Sequence, residues 1–156
     1  MEKHERKFIG IIGARENTEK YLSQMDIPED AFILDINEAL ENVPVMEWLE
    51  KRSREIAPRE MDADTLLGTL EFAELDQVKD CMTGQLQGGQ VRRLLLLKAL
   101  LSNKHYMVIW NVFDGLGESD IKMVEKILIE YSTFADIILL SGNDKGLTMC
   151  NELIYC

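Results

Sequence analysis

The stretch LQGGQVRRLLLLKALL, residues 86–101, sets Gly88 and Gly89 just before a basic, leucine-rich helix. Glycines at a helix start let backbone N–H groups approach an anion, most often a phosphate. Other reactive residue types are sparse. Cys81, Cys150 and Cys156 have no metal-ligand spacing and cannot all pair. His4 lies in a charged tail, and His105 at a strand start reads as a surface or edge residue. The acid pair Glu29/Asp30 falls in a turn after Pro28, and the methionines scatter as core filler. No Ser-His-Asp set can be assembled from these positions, so neither a catalytic set nor a metal site is assigned.

Composition narrows the partners. The chain has 156 residues, 46% hydrophobic and 29% charged, which fits one globular domain over 1–156. A net charge of −11 argues against nucleic acid or an anionic membrane surface, since both select for Lys and Arg. The polar N-terminus MEKHERK is no signal peptide, and no segment is apolar and long enough to span a bilayer. Unpaired cysteines suit a cytoplasmic protein. Any work at a membrane is expected to go through another protein, without direct insertion.

The elements that must position the chemistry alternate in type. Residues 7–13, KFIGIIG, form a continuous apolar run into a loop, the pattern of a buried parallel strand. A helix is expected from about Asn17, then a strand over residues 31–36. The next helix, VPVMEWLEKRSREIA, has Val45, Trp48 and Leu49 on one face. Asp62 or Asp64 caps the helix DTLLGTLEFAEL. The run VRRLLLLKALL is too apolar all round for a surface helix and belongs in the core. HYMVIWNVF reads as the third strand. An amphipathic helix follows, apolar at Ile121, Val124, Ile127 and Leu128, then the strands ADIILLSG and ELIYC. This order predicts an α/β fold with a mostly parallel sheet flanked by helices.

Together these pieces resemble the ATP-binding cassette (ABC) ATPase domain. LQGGQ is similar to the family signature LSGGQ. Gly88, Gly89, Gln90, Arg93, Ala99 and Leu100 fall in register without a gap. LLGTLEFAELDQVKDCMTGQ resembles the lead-in to that signature, NKHYMVIWNVFDGLG the Walker B strand and D-loop, IILLSGND the switch-histidine strand, and MCNELIYC the closing strand. The resemblance covers most of the chain and implies a P-loop NTPase-like core. Only six residues precede the first strand, which leaves no room for the family's N-terminal β-subdomain.

The departures are chemical. A phosphate loop needs glycines, a Lys for charge and a Ser or Thr for Mg²⁺. In GARENTEKYL, Gly13 remains, Glu16 and Thr18 take the later glycine positions, Glu19 the lysine position and Lys20 the hydroxyl position. A one-residue slip would bring Lys20 toward the lysine position. A carboxylate near phosphate repels it by about 1 kcal/mol at about 4 Å in water, and more when desolvated. The bland reading of this stretch is an ordinary strand–turn–helix connection. Trp110 stands at the Mg²⁺-holding Asp position and Asn111 at the catalytic Glu position. Indole offers no hard oxygen, and an amide is no general base. The D-loop Asp position is Gly117, and the switch position offers Gly142 or Asn143. No glutamine lies between Gln24 and Gln77, so the Q-loop residue is missing.

The signature is the least altered motif. The resemblance implies that Leu86, Gln87, Gly88, Gly89 and Gln90 face the nucleotide of a partner cassette, with Gln87 in place of a serine. The bland alternative is that the glycines permit a tight turn and Arg93 pairs with a carboxylate. Three functions follow. The first is a non-catalytic pseudo-cassette that binds a protein through the helices over residues 45–57 and 64–75, with Met46 and Trp48 as candidate anchors and no required cofactor. The second is an ATP-binding subunit that lends LQGGQ to a competent cassette, with Gly13 and Lys20 as remnants of its own phosphate site and a membrane permease as a further partner. The third, a small GTPase-like enzyme, rests on the four-residue DGLG match and a faint NDKG.

Overall fold

A computed structural model describes residues 6–156, and His4 lies outside them. The chain packs as two compact units: residues through Ile36 together with Lys104–Cys156, and Asn37–Asn103.

The first unit holds five strands, β1 (Phe8–Ile12), β2 (Phe32–Asp35), β3 (Tyr106–Trp110), β4 (Asp136–Ser141) and β5 (Glu152–Tyr155). All pair in parallel, in the order β2-β3-β4-β1-β5. Two longer helices belong to this unit, α1 (Arg15–Ser23) and α5 (Glu118–Tyr131). β1 and β3 are buried at every position, as continuous apolar runs in a sheet covered on both faces require. Alternate residues Ile9, Ile11, Tyr106, Val108, Trp110, Ile138 and Leu140 form one core cluster. Tyr21 and Leu22 of α1 pack against it. On α5 the expected stripe, Ile121, Val124, Ile127 and Leu128, is buried.

The second unit holds α2 (Val45–Ile56), α3 (Ala63–Phe72) and α4 (Gly88–Ser102). Val45, Trp48 and Leu49 are buried on α2. Trp48 is only 2% exposed, which makes it core and removes it as a docking anchor. Asp62, rather than Asp64, caps α3 by accepting the Thr65 amide at 2.8 Å. Hydrogen bonding to the Thr65 side chain, and then to its amide, holds the Asp62 carboxyl below its ordinary range. The cap therefore acts fully above the unfolded pKa and fades as pH falls through the lowered one. Leu94 to Leu97 are wholly buried, as the all-round apolar pattern of α4 demands.

Among the boundaries that differ from expectation, three have a clear local cause. Helix α1 starts at Arg15 instead of Asn17, because the Ala14 carbonyl already accepts the Asn17 and Thr18 amides at 2.9 and 3.0 Å. Helix α3 ends at Phe72 instead of running to Leu75. Glu74 turns left-handed (φ 57°), and the Leu75 amide closes back on the Leu70 carbonyl at 2.8 Å, a Schellman-type stop. Strand β3 ends at Trp110 instead of Phe113, because Asn111 adopts φ 60°. Asn tolerates that region better than most residues.

The loops after β3 and β4 lock together. Lys145 Nζ donates to the Leu116 carbonyl at 2.7 Å. Gly146 has φ 80°, and a Cβ there would lie 2.7 Å from Cγ of Phe113. Gly146→Ala is therefore expected to lower the unfolding free energy by about 1–3 kcal/mol in urea denaturation, through backbone strain plus the clash. An unchanged midpoint would mean that the two loops separate at no cost.

Candidate functional site

Parallel strands put all their carboxyl ends on one edge, where α/β proteins place ligands. A pocket of about 170 Å³ lies there, lined by Gly13, Ala14, Arg15, Thr18, Trp110, Asn111, Asp114, Ser141 and Gly142. Small-molecule sites usually measure about 300–1,000 Å³, so this one cannot enclose a nucleotide as it stands. Topology thus gathers the ends of β1, β3 and β4, which the sequence matches had placed at the P-loop, Walker B and switch positions.

The backbone of the first of these is already engaged. Only Gly13 and Ala14 separate β1 from α1. The Gly13 amide donates to the Ser141 carbonyl at 3.0 Å, and the Asn17 and Thr18 amides donate to Ala14. The residues that a phosphate loop would hold open form the first turn of a helix. Gly13 has a packing reason of its own: a Cβ there would lie 2.9 Å from the Cys156 carbonyl oxygen. Lys20 is exposed on α1 and does not line the pocket.

Arg15 is the central side chain of this site, and sequence reasoning passed over it. Its guanidinium stacks over the Trp110 ring, 3.7 Å from the centroid. Nε donates to Glu19 at 2.9 Å and Nη1 to Asp35 at 3.3 Å. Hydrogen bonds to Glu19, opposed by some desolvation and reinforced by Asp35, raise the Arg15 pKa. The geometry follows from the sheet: Asp35 and Trp110 are register partners on β2 and β3, and Arg15 enters from the first turn of α1. Two carboxylates and an indole thus hold a cation at the carboxyl edge of the sheet. All three charged side chains are about half exposed, so each ion pair is worth only a few tenths of a kcal/mol. The Arg15–Glu19 spacing of four was a readable signal; the partnership with Asp35 and Trp110 needed the strand order.

The other glycine-flanked helix start lies in the second unit. Gln87 precedes the first turn of α4, and its amide donates to Oε1 of Gln90 at 2.9 Å. The two glutamines of LQGGQ therefore brace the turn between them. Gly88 is exposed, Gly89 is buried, and Leu86 and Gln90 are half-buried. Arg93 is buried and donates from Nε to the Ala73 carbonyl at 2.9 Å. That bond ties α4 to the end of α3.

The remaining candidates are structural. His105 is exposed, with Nδ1 2.9 Å from the Phe134 carbonyl. Burial pushes the Cys150 thiol up to about 12, so it holds its proton at neutral pH. Lys145 of NDKG is tied to Leu116 of DGLG. No cluster of three metal-ligating residues occurs among the described residues. No helix among them is long and apolar enough to cross a membrane.

The parallel sheet and its flanking helices give this chain the fold of ATP-binding cassettes. The chain superposes on the ATP-binding cassette MJ0796, in a dimeric post-hydrolysis state bound to ADP and Pi, with a TM-score of 0.73 over 99% of this chain and 83% of that one, at 15% identity. It superposes on cbiO1 from Clostridium perfringens, part of the ABC transporter complex cbiONQ, with a TM-score of 0.72 over 96% of this chain and 72% of that one, at 14% identity. In sequence it is 28% identical over 75 residues to the cytochrome c biogenesis ATP-binding export protein CcmA of Aliivibrio fischeri, covering 48% of this chain. The matched stretch spans 37% of that relative's length. No protein-family model matches the chain.

The Arg15 stack is measurable. A double-mutant cycle of Arg15→Ala with Trp110→Leu, read by urea denaturation, should give a coupling of about 0.5–1 kcal/mol. Strict additivity would remove the stack from the account.

Proposed function

We propose that this chain is a non-catalytic, ABC-ATPase-like module that works through a protein partner in the cytoplasm. The observation that carries this reading is the self-filled carboxyl edge of the sheet, where Arg15, Asp35, Glu19 and Trp110 engage one another. An ATPase needs that edge free for phosphates, a hydroxyl and carboxylates for Mg²⁺, and a base for water. Here the helix begins two residues after the strand, Trp110 presents an indole, and Asn111 an amide. The module requires no nucleotide or metal of its own. The relatives support a protein partner: one is part of a transporter complex by its title, another an export protein by its name. A cassette subunit or a membrane permease is the kind of partner this suggests, engaged through the outer faces of α2 and α3.

The second reading, a subunit that lends LQGGQ to a competent cassette, draws on a specific observation. Gly88 is exposed at the start of a 15-residue helix, and its turn is braced by Gln87 and Gln90. In that case Gly13 and Lys20 need bind nothing, because the nucleotide sits on the partner. A GTPase role has less support, since Lys145 is held by the Leu116 carbonyl.

Calorimetric titration with ATP and GTP, with and without Mg²⁺, tests the first reading. No saturable heat is expected at millimolar nucleotide, and no hydrolysis. Turnover abolished by Asn111→Ala or Lys20→Ala would overturn it. Saturable ATP binding would move the second reading to first place, and a preference for GTP would restore the third.

A further inference from the structure

The turn that carries LQGGQ is held by a distant part of the second unit. Residues 79–86 run alongside residues 41–46, and Thr83 is the pivot. Thr83 is only 2% exposed. Its amide donates to the Val43 carbonyl at 2.9 Å. Its Oγ1 donates to the Glu41 carbonyl at 2.6 Å and accepts the Val43 amide at 3.4 Å. Its carbonyl accepts the amide of Leu86, the first residue of LQGGQ, at 3.2 Å. One buried threonine thus joins residues 41–43 directly to the turn. Further ties run beside it. The Gly84 amide donates to Oδ1 of Asn42 at 3.0 Å, and the Val45 and Met46 amides donate to the Cys81 and Lys79 carbonyls at 2.9 Å each. Val45 and Met46 open α2, and Leu86 and Gln87 lead into α4.

We propose that Thr83 is a positioning residue that relays the placement of residues 41–46 to the LQGGQ turn. The starts of α2 and α4 then move as one body, although about 40 residues separate them in sequence. A hydroxyl buried with both a donor and an acceptor is a specific device: an isosteric methyl fits the space, keeps the backbone bonds to Val43 and Leu86, and removes the side-chain tie that braces them against Glu41. A partner that pulls on the start of α2 displaces LQGGQ with it. That trigger rests on the partner role proposed above. The relay itself does not, and it is tested in the free protein.

The test is residue-resolved amide exchange on the full chain. The Leu86 and Gln87 amides are bonded to the Thr83 carbonyl and to Gln90 Oε1, so they report the turn. The Gly88 and Gly89 amides that follow have no intrahelical acceptors, whereas the Gln90 amide is capped by the Gln87 side chain. Thr83→Val is expected to speed exchange at Leu86 and Gln87 by about tenfold while leaving Leu70 and Leu97 unchanged. Thr83→Ser, which keeps the hydroxyl, should restore slow exchange. Uniform acceleration across residues 37–103, unchanged rates at Leu86, or failure of serine to rescue would each overturn the relay. If Thr83→Val does not fold, Thr83→Ala removes the same hydroxyl with a smaller side chain, and several-fold faster exchange at Leu86 is expected. Unchanged rates there would overturn the relay equally.

Discussion

A two-residue turn, Gly13–Ala14, governs what the carboxyl edge of the sheet can hold. It leaves β1 and enters α1 at once, so the Ala14 carbonyl takes the Asn17 and Thr18 amides. Those N–H groups are then unavailable to a phosphate. The same turn delivers Arg15 to the face where Trp110 emerges from β3 and Asp35 from β2. The turn has little freedom to relax. β1 is buried along its length between β4 and β5, and the Gly13 amide is itself fixed to Ser141. Opening a phosphate cradle would mean unwinding the first turn of α1 and breaking the Arg15 contacts together.

The second unit obeys a different constraint. Helix α4 is buried on nearly every side, so its start cannot be set by its own amphipathic face. Polar ties set it instead. Arg93 holds the Ala73 carbonyl, and Thr83 links the chain before the helix to Glu41 and Val43. The glycines of LQGGQ sit in a turn defined by these neighbours. These buried hydrogen bonds account for how the turn keeps its shape.

Much of the fold was legible in the residues. Buried parallel strands are continuous apolar runs, and β1, β3 and β4 lie where such runs occur, whereas the edge strands β2 and β5 are shorter and partly exposed. The burial of Val45, Leu49 and the Leu94–Leu97 run followed from helical spacing and all-round apolarity. What escaped was long-range polar pairing. Nothing near Arg15 in sequence points to Trp110; the strand order makes them neighbours. Thr83 stands in a turn without periodicity, and its partners lie about 40 positions away. The strand end at Asn111 and the helix end at Glu74 are local events. The first had a readable signal in an asparagine, whereas a glutamate in a left-handed conformation has none.

The central claim is that the Gly13–Thr18 stretch does not cradle phosphate. Its most direct test is the ¹H–¹⁵N spectrum of the full chain during titration with Mg²⁺–ATP to several millimolar, following the amides of Gly13, Arg15 and Thr18 and the indole N–H of Trp110. The account predicts that these four signals stay in place. Saturable, co-ordinated shifts at Gly13 and Thr18 would show that the first turn of α1 opens to receive phosphate, and would contradict it.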